Sequence, residues 1–535
     1  MTYEKNTTLC ERTINMTFIK TADLRKTLKD AYGKYKGDFL FGLAVCFIAH
    51  FVLLANYLFN HDSVATFFSN SSWLITQGKW FSSPISLLKG SLGVHYSQAL
   101  IGLVFTALSA VLLCNAMECE NPLARKIIIA MYALFPTVGV CMMYNGLDYF
   151  AFTAFLSIAA ALIGKKRGVW NFIFAVILLT FSIGAYQGYI GFAAAVFVFY
   201  CLKKLLDENS KIRDVFADGI YYIAILLVSV ICYYVILQVV LKLFSIQLSD
   251  YKGISNMSGI LNPKVLFPAI VTAYKNTIGF FTQNLIGPSS AVTLYLKRAA
   301  FVLMVASVIH ALAVIIKRKT FGKAALFAAL SIFVLPVAAN FIGVLSNNTS
   351  FYYVTAYPIV FLMLAAVSYL FSIKITKKHA ADLFARGCVA LISTAIIFNM
   401  FTTANVQYEK SERTKAEMDS KITELITIIH TADGYTPSTP IVFSGKTPYN
   451  FLKSGYVTGS YAYMLGYSRA EDMIYSDDIL GSYITNVLNY DIVMQRYAEV
   501  GVTYESILKE MPVYPAQGSL KMVNGVLLVK LGEVE

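Results

Sequence analysis

Charged residues are scarce in this sequence: Asp, Glu, Lys and Arg make up 14% of its 535 residues, whereas hydrophobic residues make up 57%. So little polar sequence cannot cover so much apolar surface in water, which excludes a soluble globular protein. Long, continuously apolar runs satisfy their backbone groups inside a bilayer only as helices, which excludes a closed β-barrel. We therefore expect an α-helical polytopic membrane protein embedded in a lipid bilayer.

Cysteine is also sparse. None of the 8 cysteines lies beyond Cys388 and none forms a CxxC pair, so neither a disulfide-stapled C-terminal region nor a cysteine-pair metal site is expected. No Walker loop or GxGxxG motif occurs in a connection long enough for a nucleotide-binding domain, which argues against direct use of a nucleotide sugar. Basic residues do not alternate with aromatic residues on a predicted surface. Nucleic acid is therefore not an expected partner, despite the net charge of +13.

Apolar runs long enough to cross a hydrocarbon core of about 30 Å occur about eleven times. They lie at about 38–59, 96–114, 126–143, 149–163, 169–186, 189–205, 219–245, 299–316, 324–345, 352–372 and 386–403. The polar start of the chain does not resemble a cleaved signal peptide, so the first helix is expected to act as the targeting signal.

Lys and Arg are concentrated in alternate connections, as the positive-inside rule requires of cytoplasmic loops. These basic clusters fall at 20–36, 165–167, 203–204, 317–319 and 373–378. They place the N-terminus in the cytoplasm, and an odd number of crossings then places the C-terminal region outside. The stretch 264–287 favours an interfacial or re-entrant helix; if it spans, the C-terminal region moves inside.

The pattern divides the chain into a cytoplasmic segment (1–37), a transmembrane domain (38–403, with a first outer loop at 60–95) and an extracytoplasmic α/β domain (404–535). In the last of these we predict a polar helix at 409–432, a strand at 440–445 and a hairpin at 519–531. Asn524-Gly525 is a hairpin turn signal.

Few carboxylates fall on the predicted outer side of the membrane domain. They are Asp62 in NHDSV, Asp148 in YNGLDYF and Asp250. Ionisable residues near a membrane are costly and tend to have a function. A structural role is the alternative, because Asp62 is placed to cap an interfacial helix and Asp148 follows an Asn-Gly turn signal.

The order of these features resembles the GT-C superfamily of glycosyltransferases that use lipid-phosphate sugars. NHDSV followed by QGKW, then YNGLDYF and GAYQGYIG, resembles more narrowly the bacterial Gtr-type glucosyltransferases, which move glucose from a polyprenyl phosphate to a surface polysaccharide. The resemblance covers most of residues 38–535 and is densest in the first 200. Lys79 stands where the family is expected to carry Arg, and His61 stands where other GT-C members often have a second acid.

The resemblance implies an inverting transfer of a hexose, with glucose expected, in which a carboxylate is the base. A polyprenyl phosphate is a weakly basic leaving group, so one base and one cation suffice. No cofactor is required, although a divalent metal remains an alternative. The catalytic candidates are Asp62 and Asp148; the donor-binding candidates are Lys79, Lys297, Arg298, Tyr186 and Gln187; the supporting candidates are His61, Trp80, His95 and Asn145. The pair Lys297-Arg298 is explained equally well as an interfacial anchor.

The implied partners are a polyprenyl-phosphate sugar, an acceptor glycan such as O-antigen or teichoic acid, a synthase that loads the lipid and a flippase. The implied location is the bacterial cytoplasmic membrane. Two other classes remain open from the sequence: a multi-pass polysaccharide polymerase and a transporter of envelope glycans. A transporter would be expected to show paired repeats, which we do not find.

Overall fold

The computed structural model describes most of the chain. The described residues are 21–58, 63–64, 73–88, 95–144, 146–249, 262–283, 285–286, 290–345, 351–373, 379–445 and 477–533. Among these residues the architecture is a bundle of membrane-crossing helices followed by a small α/β unit.

The helices are α1 (Thr21–Ala55), α2 (Trp73–Thr76), α3 (Ser82–Leu88), α4 (His95–Ala116), α5 (Pro122–Ala133), α6 (Thr137–Met143), α7 (Leu147–Gly164), α8 (Val169–Ala185), α9 (Ile190–Leu206), α10 (Ile212–Leu243), α11 (Pro263–Thr282), α12 (Ala291–Lys317), α13 (Phe321–Ala328), α14 (Leu335–Ala339), α15 (Ile342–Leu345), α16 (Tyr353–Ala356), α17 (Val360–Ser372), α18 (His379–His430), α19 (Asp477–Ser482) and α20 (Tyr497–Glu510). Short 3₁₀ turns join α8 to α9 and α16 to α17, and a π-helical segment, Ala329–Val334, joins α13 to α14.

Ten helical stretches of the described chain are long and apolar enough to cross a membrane, and the shorter α8 is apolar as well. Each of the eleven predicted runs coincides with one of them, so the prediction of a polytopic helical membrane protein is confirmed. Three stretches of the described chain, Pro122–Met143, Phe321–Ala339 and Tyr353–Ser372, are each built from two α-helices. Pro136, for example, separates α5 from α6 within a single apolar crossing, because proline removes a backbone donor.

The connections meet at two opposite ends of the bundle. At one end Glu118, after α4, is paired with Lys165, after α7, and Lys203, in the last turn of α9. We call this end the Glu118 face. The other end contains Asp148 in the first turn of α7 and is called the Asp148 face. The predicted basic clusters at 165–167, 203–204 and 317–319 lie together at this end, where Arg318 also donates to the Leu206 carbonyl at 2.6 Å; residues 374–378 lie outside the described residues.

Helix α11 covers most of the ambiguous stretch 264–287. Near its middle, the Ala273 carbonyl accepts a hydrogen bond from Asn340 Nδ2 at 3.1 Å, and further along Thr277 Oγ1 donates to the Pro336 carbonyl at 3.1 Å. The chain then returns to the Asp148 face, where Tyr353 donates to the Ile286 carbonyl at 3.4 Å. Helix α11 itself is not among the ten described stretches that are long and apolar enough to cross a membrane.

The C-terminal unit contains a four-stranded sheet. Its strands are β1 (Pro440–Ser444), β2 (Val493–Met494), β3 (Leu520–Val523) and β4 (Val526–Lys530). The order is β2-β1-β4-β3; β1 is parallel to both neighbours, and β3 and β4 form an antiparallel hairpin. Asn524 and Gly525 have φ values of 51° and 78°, so the predicted strand and hairpin turn are both present.

One expectation about this region is wrong. The sequence suggested a last crossing at 386–403 and a separate polar helix at 409–432, whereas the structure joins them in the 52-residue helix α18. The change from apolar to polar residues marks where the helix leaves the bundle. It does not end the helix, because neither proline nor glycine occurs between the two parts.

The C-terminal unit lies on the Asp148 face. Its core packs Ile426 and Ile429 of α18 against Ile441 of β1 and includes Val64 of the first loop. Asn486 Nδ2 also donates to the Val64 carbonyl at 3.3 Å. The sheet is therefore attached directly to the loop that follows the first crossing.

Candidate active site

The QGKW segment of the first loop is fastened to the turn between α8 and α9. Gln187 Nε2 donates to the Gln77 carbonyl at 3.0 Å and to the Tyr233 hydroxyl at 3.1 Å. Tyr233 in turn donates to the Gly78 carbonyl at 3.0 Å. Gln187 is 4% exposed, so these bonds satisfy a buried amide. The role of Gln187 in the described structure is thus to position the loop.

Trp80 anchors the same segment against α8. Its ring packs on Gly184, where a Cβ would lie 2.5 Å from two ring carbons, so only glycine permits this approach. The Phe81 amide donates to the Gly184 carbonyl at 2.8 Å. Close packing thus accounts for the glycine at this position, and Trp80 holds the QGKW segment against α8.

Lys79 is held above the ring of Tyr186. Its Nζ lies 5.4 Å from the ring centroid and donates to Gln77 Oε1 at 2.8 Å. These two contacts fix the direction of the ammonium group. A cation held in this way suits an anionic ligand.

Tyr186 connects Lys79 to the helix that carries Asp148. Its ring meets that of Phe150 edge-on at 4.9 Å, and its hydroxyl is hydrogen-bonded to Tyr352. Asp148 lies two residues before Phe150, in the first turn of α7, and is 3% exposed. A helix N-terminus favours a carboxylate electrostatically. The structure therefore gathers Lys79, Tyr186, Gln187 and Asp148 at one end of the bundle.

Asp62, His61 and Asn145 lie outside the described residues. The residue that follows Asp62 is described: Ser63 Oγ donates to the Met143 carbonyl at 2.9 Å. Met143 ends α6, just before the turn that leads to Asp148. The described chain next to Asp62 is thus attached to the turn that carries the second acid.

The basic pair at the start of α12 occupies a different part of this face. Lys297 Nζ donates to the Ile286 carbonyl at 2.8 Å and lies 4.6 Å from the Phe280 ring centroid, and Arg298 Nε donates to the Thr282 carbonyl at 3.2 Å. None of the described contacts joins either residue to Lys79. The pair therefore braces the chain that follows α11 in this structure.

His95 also has a bracing role in the described structure. Its Nε2 is 2.5 Å from the Leu53 carbonyl and its ring meets that of Tyr57 edge-on at 5.2 Å. These contacts tie the start of α4 to the end of α1. Among the described residues, no group of three or more His, Cys, Asp or Glu side chains is arranged to hold a metal ion.

Sequence reasoning missed Gln77, Tyr233 and Tyr352 as parts of the site. Gln77 lies in the quoted QGKW motif, but its contact with Gln187 joins residues 110 positions apart. Tyr233 lies within an apolar crossing, where an aromatic residue carries no distinctive signal. Tyr352 belongs to a tyrosine-rich stretch that also resembles an interfacial aromatic belt.

The helical bundle defines a polytopic membrane protein, and at one end of it the structure brings together a buried acid and an oriented cation. Residues 51–363 match the family Glucosyl transferase GtrII, and the chain belongs to this family. This range contains the whole Lys79 and Asp148 cluster. No curated protein and no solved structure shows significant similarity to the chain. The predicted Gtr-type family and glycosyltransferase activity are confirmed.

Proposed function

We propose that this glucosyltransferase uses a polyprenyl-phosphate hexose, with glucose as the sugar, and that transfer occurs on the Asp148 face. The observation that carries the proposal is Lys79, which is oriented by Gln77 and by the ring of Tyr186 at the same end of the bundle as Asp148. A phosphate-bearing lipid places its charge at the membrane surface, which is where this cation is located. The family match supplies the reaction class.

In the proposed reaction a carboxylate accepts the proton of the acceptor hydroxyl. The acceptor oxygen forms a bond to the anomeric carbon, the bond from that carbon to the phosphate oxygen breaks, and the electron pair leaves with the phosphate. Attack opposite the leaving group inverts the anomeric centre. We assign the base to Asp62, because its neighbour Ser63 is attached beside the turn that carries Asp148. Asp148 then positions the acceptor or the base.

The leaving phosphate gains charge as the bond breaks, and a cation in place beforehand stabilises it without reorganisation. Lys79 takes this role in the proposal. As a lysine it offers a point charge and lacks the two-pronged geometry of arginine. Lys297 and Arg298 are proposed to contact the same lipid further along the face.

The excess of basic connections on the Glu118 face supports a cytoplasmic position for that face and an outer position for the Asp148 face. The proposed location is the bacterial cytoplasmic membrane, with the N-terminus inside and the C-terminal unit outside. That unit is attached to the first loop, which supports a role in binding the surface glycan, such as O-antigen or teichoic acid. A lipid-sugar synthase and a flippase would supply the donor.

The test is transfer of labelled glucose from synthetic polyprenyl-phosphate-glucose to cell-envelope glycan by the purified protein. UDP-glucose serves as the comparison donor. Asp62→Asn is expected to lower kcat about 10²- to 10⁴-fold, the range of a general base. Glu120→Gln, an exposed change on the opposite face, is the matched control and should keep full activity. Transfer from UDP-glucose alone, or full activity of Asp62→Asn, would overturn the proposal.

A further inference from the structure

A large cavity lies apart from the candidate active site. Its volume is about 730 Å³, and it is enclosed by α9, α11, α12, α17 and the π-helical segment. This volume falls within the range of about 300–1,000 Å³ that is usual for sites of small molecules. None of Lys79, Tyr186, Gln187 and Asp148 lines it. The cavity is therefore a separate candidate for binding.

The cavity opens sideways toward the bilayer. Ile309 of α12 and Ile332 of the π-helical segment both line it, and they are 61% and 40% exposed at the bundle surface. Exposed isoleucines on a membrane-crossing helix face lipid. A π-helical segment is rare and often occurs at functional sites. A hydrocarbon chain can thus enter between these two elements without passing through water.

Several polar groups inside the cavity are already hydrogen-bonded within the protein. His310 Nδ1 and the Tyr369 hydroxyl are hydrogen-bonded to each other at 2.9 Å. Ser307 and Ser331 donate to carbonyls of their own helical segments, each at 2.7 Å. A sugar or nucleotide would find few hydrogen-bonding groups that are not already engaged. The interior instead presents the apolar surface that an acyl chain requires.

One end of the cavity reaches the basic side of the bundle. Lys203 and Arg318 line it there, together with Glu118. Arg318 pairs with Glu208 at 3.0 Å, but the Glu208 side chain is 68% exposed. Such a surface pair contributes little and can exchange for a phosphate. In the ion pairs described on this face, six basic side chains share four carboxylates, so the face retains positive charge.

We propose that this cavity holds an acyl chain of an anionic phospholipid from the leaflet on the Glu118 face. The phosphate of the lipid lies beside Arg318 and Lys203, and the chain extends between α12 and the π-helical segment toward α11. Basic pockets between membrane helices commonly bind anionic headgroups. The occupant is a structural lipid, distinct from the donor lipid that is proposed to react on the opposite face.

The experiment measures the lipid that copurifies with the full-length chain. The protein is equilibrated in mixed micelles containing equal amounts of phosphatidylglycerol and phosphatidylcholine, separated by size exclusion, and its retained lipids are counted by mass spectrometry. The wild-type protein should retain more phosphatidylglycerol than phosphatidylcholine. Arg318→Gln should lower its retention about fivefold, the effect of one basic residue at an anionic headgroup. Arg167→Gln is the matched control, since Arg167 pairs with Asp218 on the same face but does not line the cavity.

Two further measurements test whether an acyl chain fills the cavity and whether the bound lipid is a phospholipid or the polyprenyl phosphate. Ala366→Leu and Ala366→Phe fill the cavity from α17 and should release phosphatidylglycerol in order of size. Polyprenyl phosphate, added at an equal concentration, should not displace it. Equal retention in Arg318→Gln and Arg167→Gln, or displacement by polyprenyl phosphate, would overturn the proposal. No arm measures glucose transfer, so the outcome is independent of the proposed reaction.

Discussion

The charged side chains on the two faces of the bundle have different kinds of partners. On the Glu118 face, the described basic side chains form ion pairs with a smaller number of carboxylates; Asp218, for example, is paired with both Arg167 and Lys204. On the Asp148 face, the described partners of Lys79, Lys297 and Arg298 are amide, aromatic or carbonyl groups. The ion pairs join the connections of the Glu118 face to one another, whereas the contacts of Lys79 orient a cation next to the turn between α8 and α9. This difference supports the proposal that transfer occurs on the Asp148 face.

The same chemical change on the two faces gives the sharpest test. Asp148→Asn should lower kcat about 100-fold or more, because it removes a buried carboxylate at the end of the bundle where the proposed transfer occurs. Glu118→Gln removes a carboxylate on the opposite face and should leave the rate within about twofold. Initial rates of glucose transfer on the two purified variants check this. Equal losses in both variants would break the distinction between the faces.

The next effect concerns the cation. Lys79→Met should lower kcat about 10²- to 10³-fold, as expected when a group that stabilises a leaving charge is removed. Lys79→Arg keeps the charge and should recover most of the rate. Steady-state rates on the lipid-linked donor distinguish the two variants. Size exclusion first checks that both variants are folded like the wild type. If Lys79→Met were as active as wild type, the phosphate would have to be bound elsewhere on this face.

A smaller effect is expected for the residues that position Lys79. Tyr233→Phe removes the hydroxyl that donates to the Gly78 carbonyl and accepts from Gln187. One such bond contributes about 0.5–1.5 kcal/mol, so the rate should fall by roughly 3- to 10-fold. Because the group acts through the loop, KM for the donor should rise along with the fall in kcat. Tyr234→Phe, an exposed neighbour on the same helix, is the control and should change neither quantity.

The smallest effect concerns stability on the Glu118 face. Partial burial raises the pKa of Glu118, but hydrogen bonds from Lys165 and Lys203 lower it more, and the net pKa lies below the usual 4.5. The carboxylate therefore stabilises the fold above pH 4.5, and this contribution is lost as the pH falls through the lowered pKa. Glu118→Gln should reduce stability by less than about 1 kcal/mol at neutral pH. The thermal unfolding temperatures of the wild type and of Glu118→Gln should become equal in acid. A difference that stays the same at every pH would contradict an ionic origin of the stabilisation.

The membrane architecture could be predicted from sequence because each crossing must be both long and apolar. The end of the last crossing could not, since the loss of hydropathy near residue 404 looks like the end of a helix although α18 continues to His430. The β3–β4 hairpin was predictable because Asn524-Gly525 is a local signal. Local signals therefore gave the helices and the turn, but not the way one helix leaves the membrane.

The candidate site was predictable only in part. Short motifs in the sequence indicated four of its residues, and the fold brings them to one end of the bundle: Lys79, Tyr186, Gln187 and Asp148. Their contacts depend on long-range packing, as in the bond between Gln187 and the Gln77 carbonyl. Composition cannot reveal such a bond. Arg298 carried an equally strong sequence argument, yet its described bond is to the Thr282 carbonyl.

The length of α18 has a mechanical consequence. A continuous helix of 52 residues is about 78 Å long, and the part beyond Gly387 contains no glycine or proline at which it would bend sharply. The helix is therefore a rigid connection: its first part packs among the membrane-crossing helices, and its last part packs against the sheet. A tilt of about 5° at one end would swing the other through an arc of about 7 Å. A glycan that pulls on the sheet would thus exert a torque on the bundle itself.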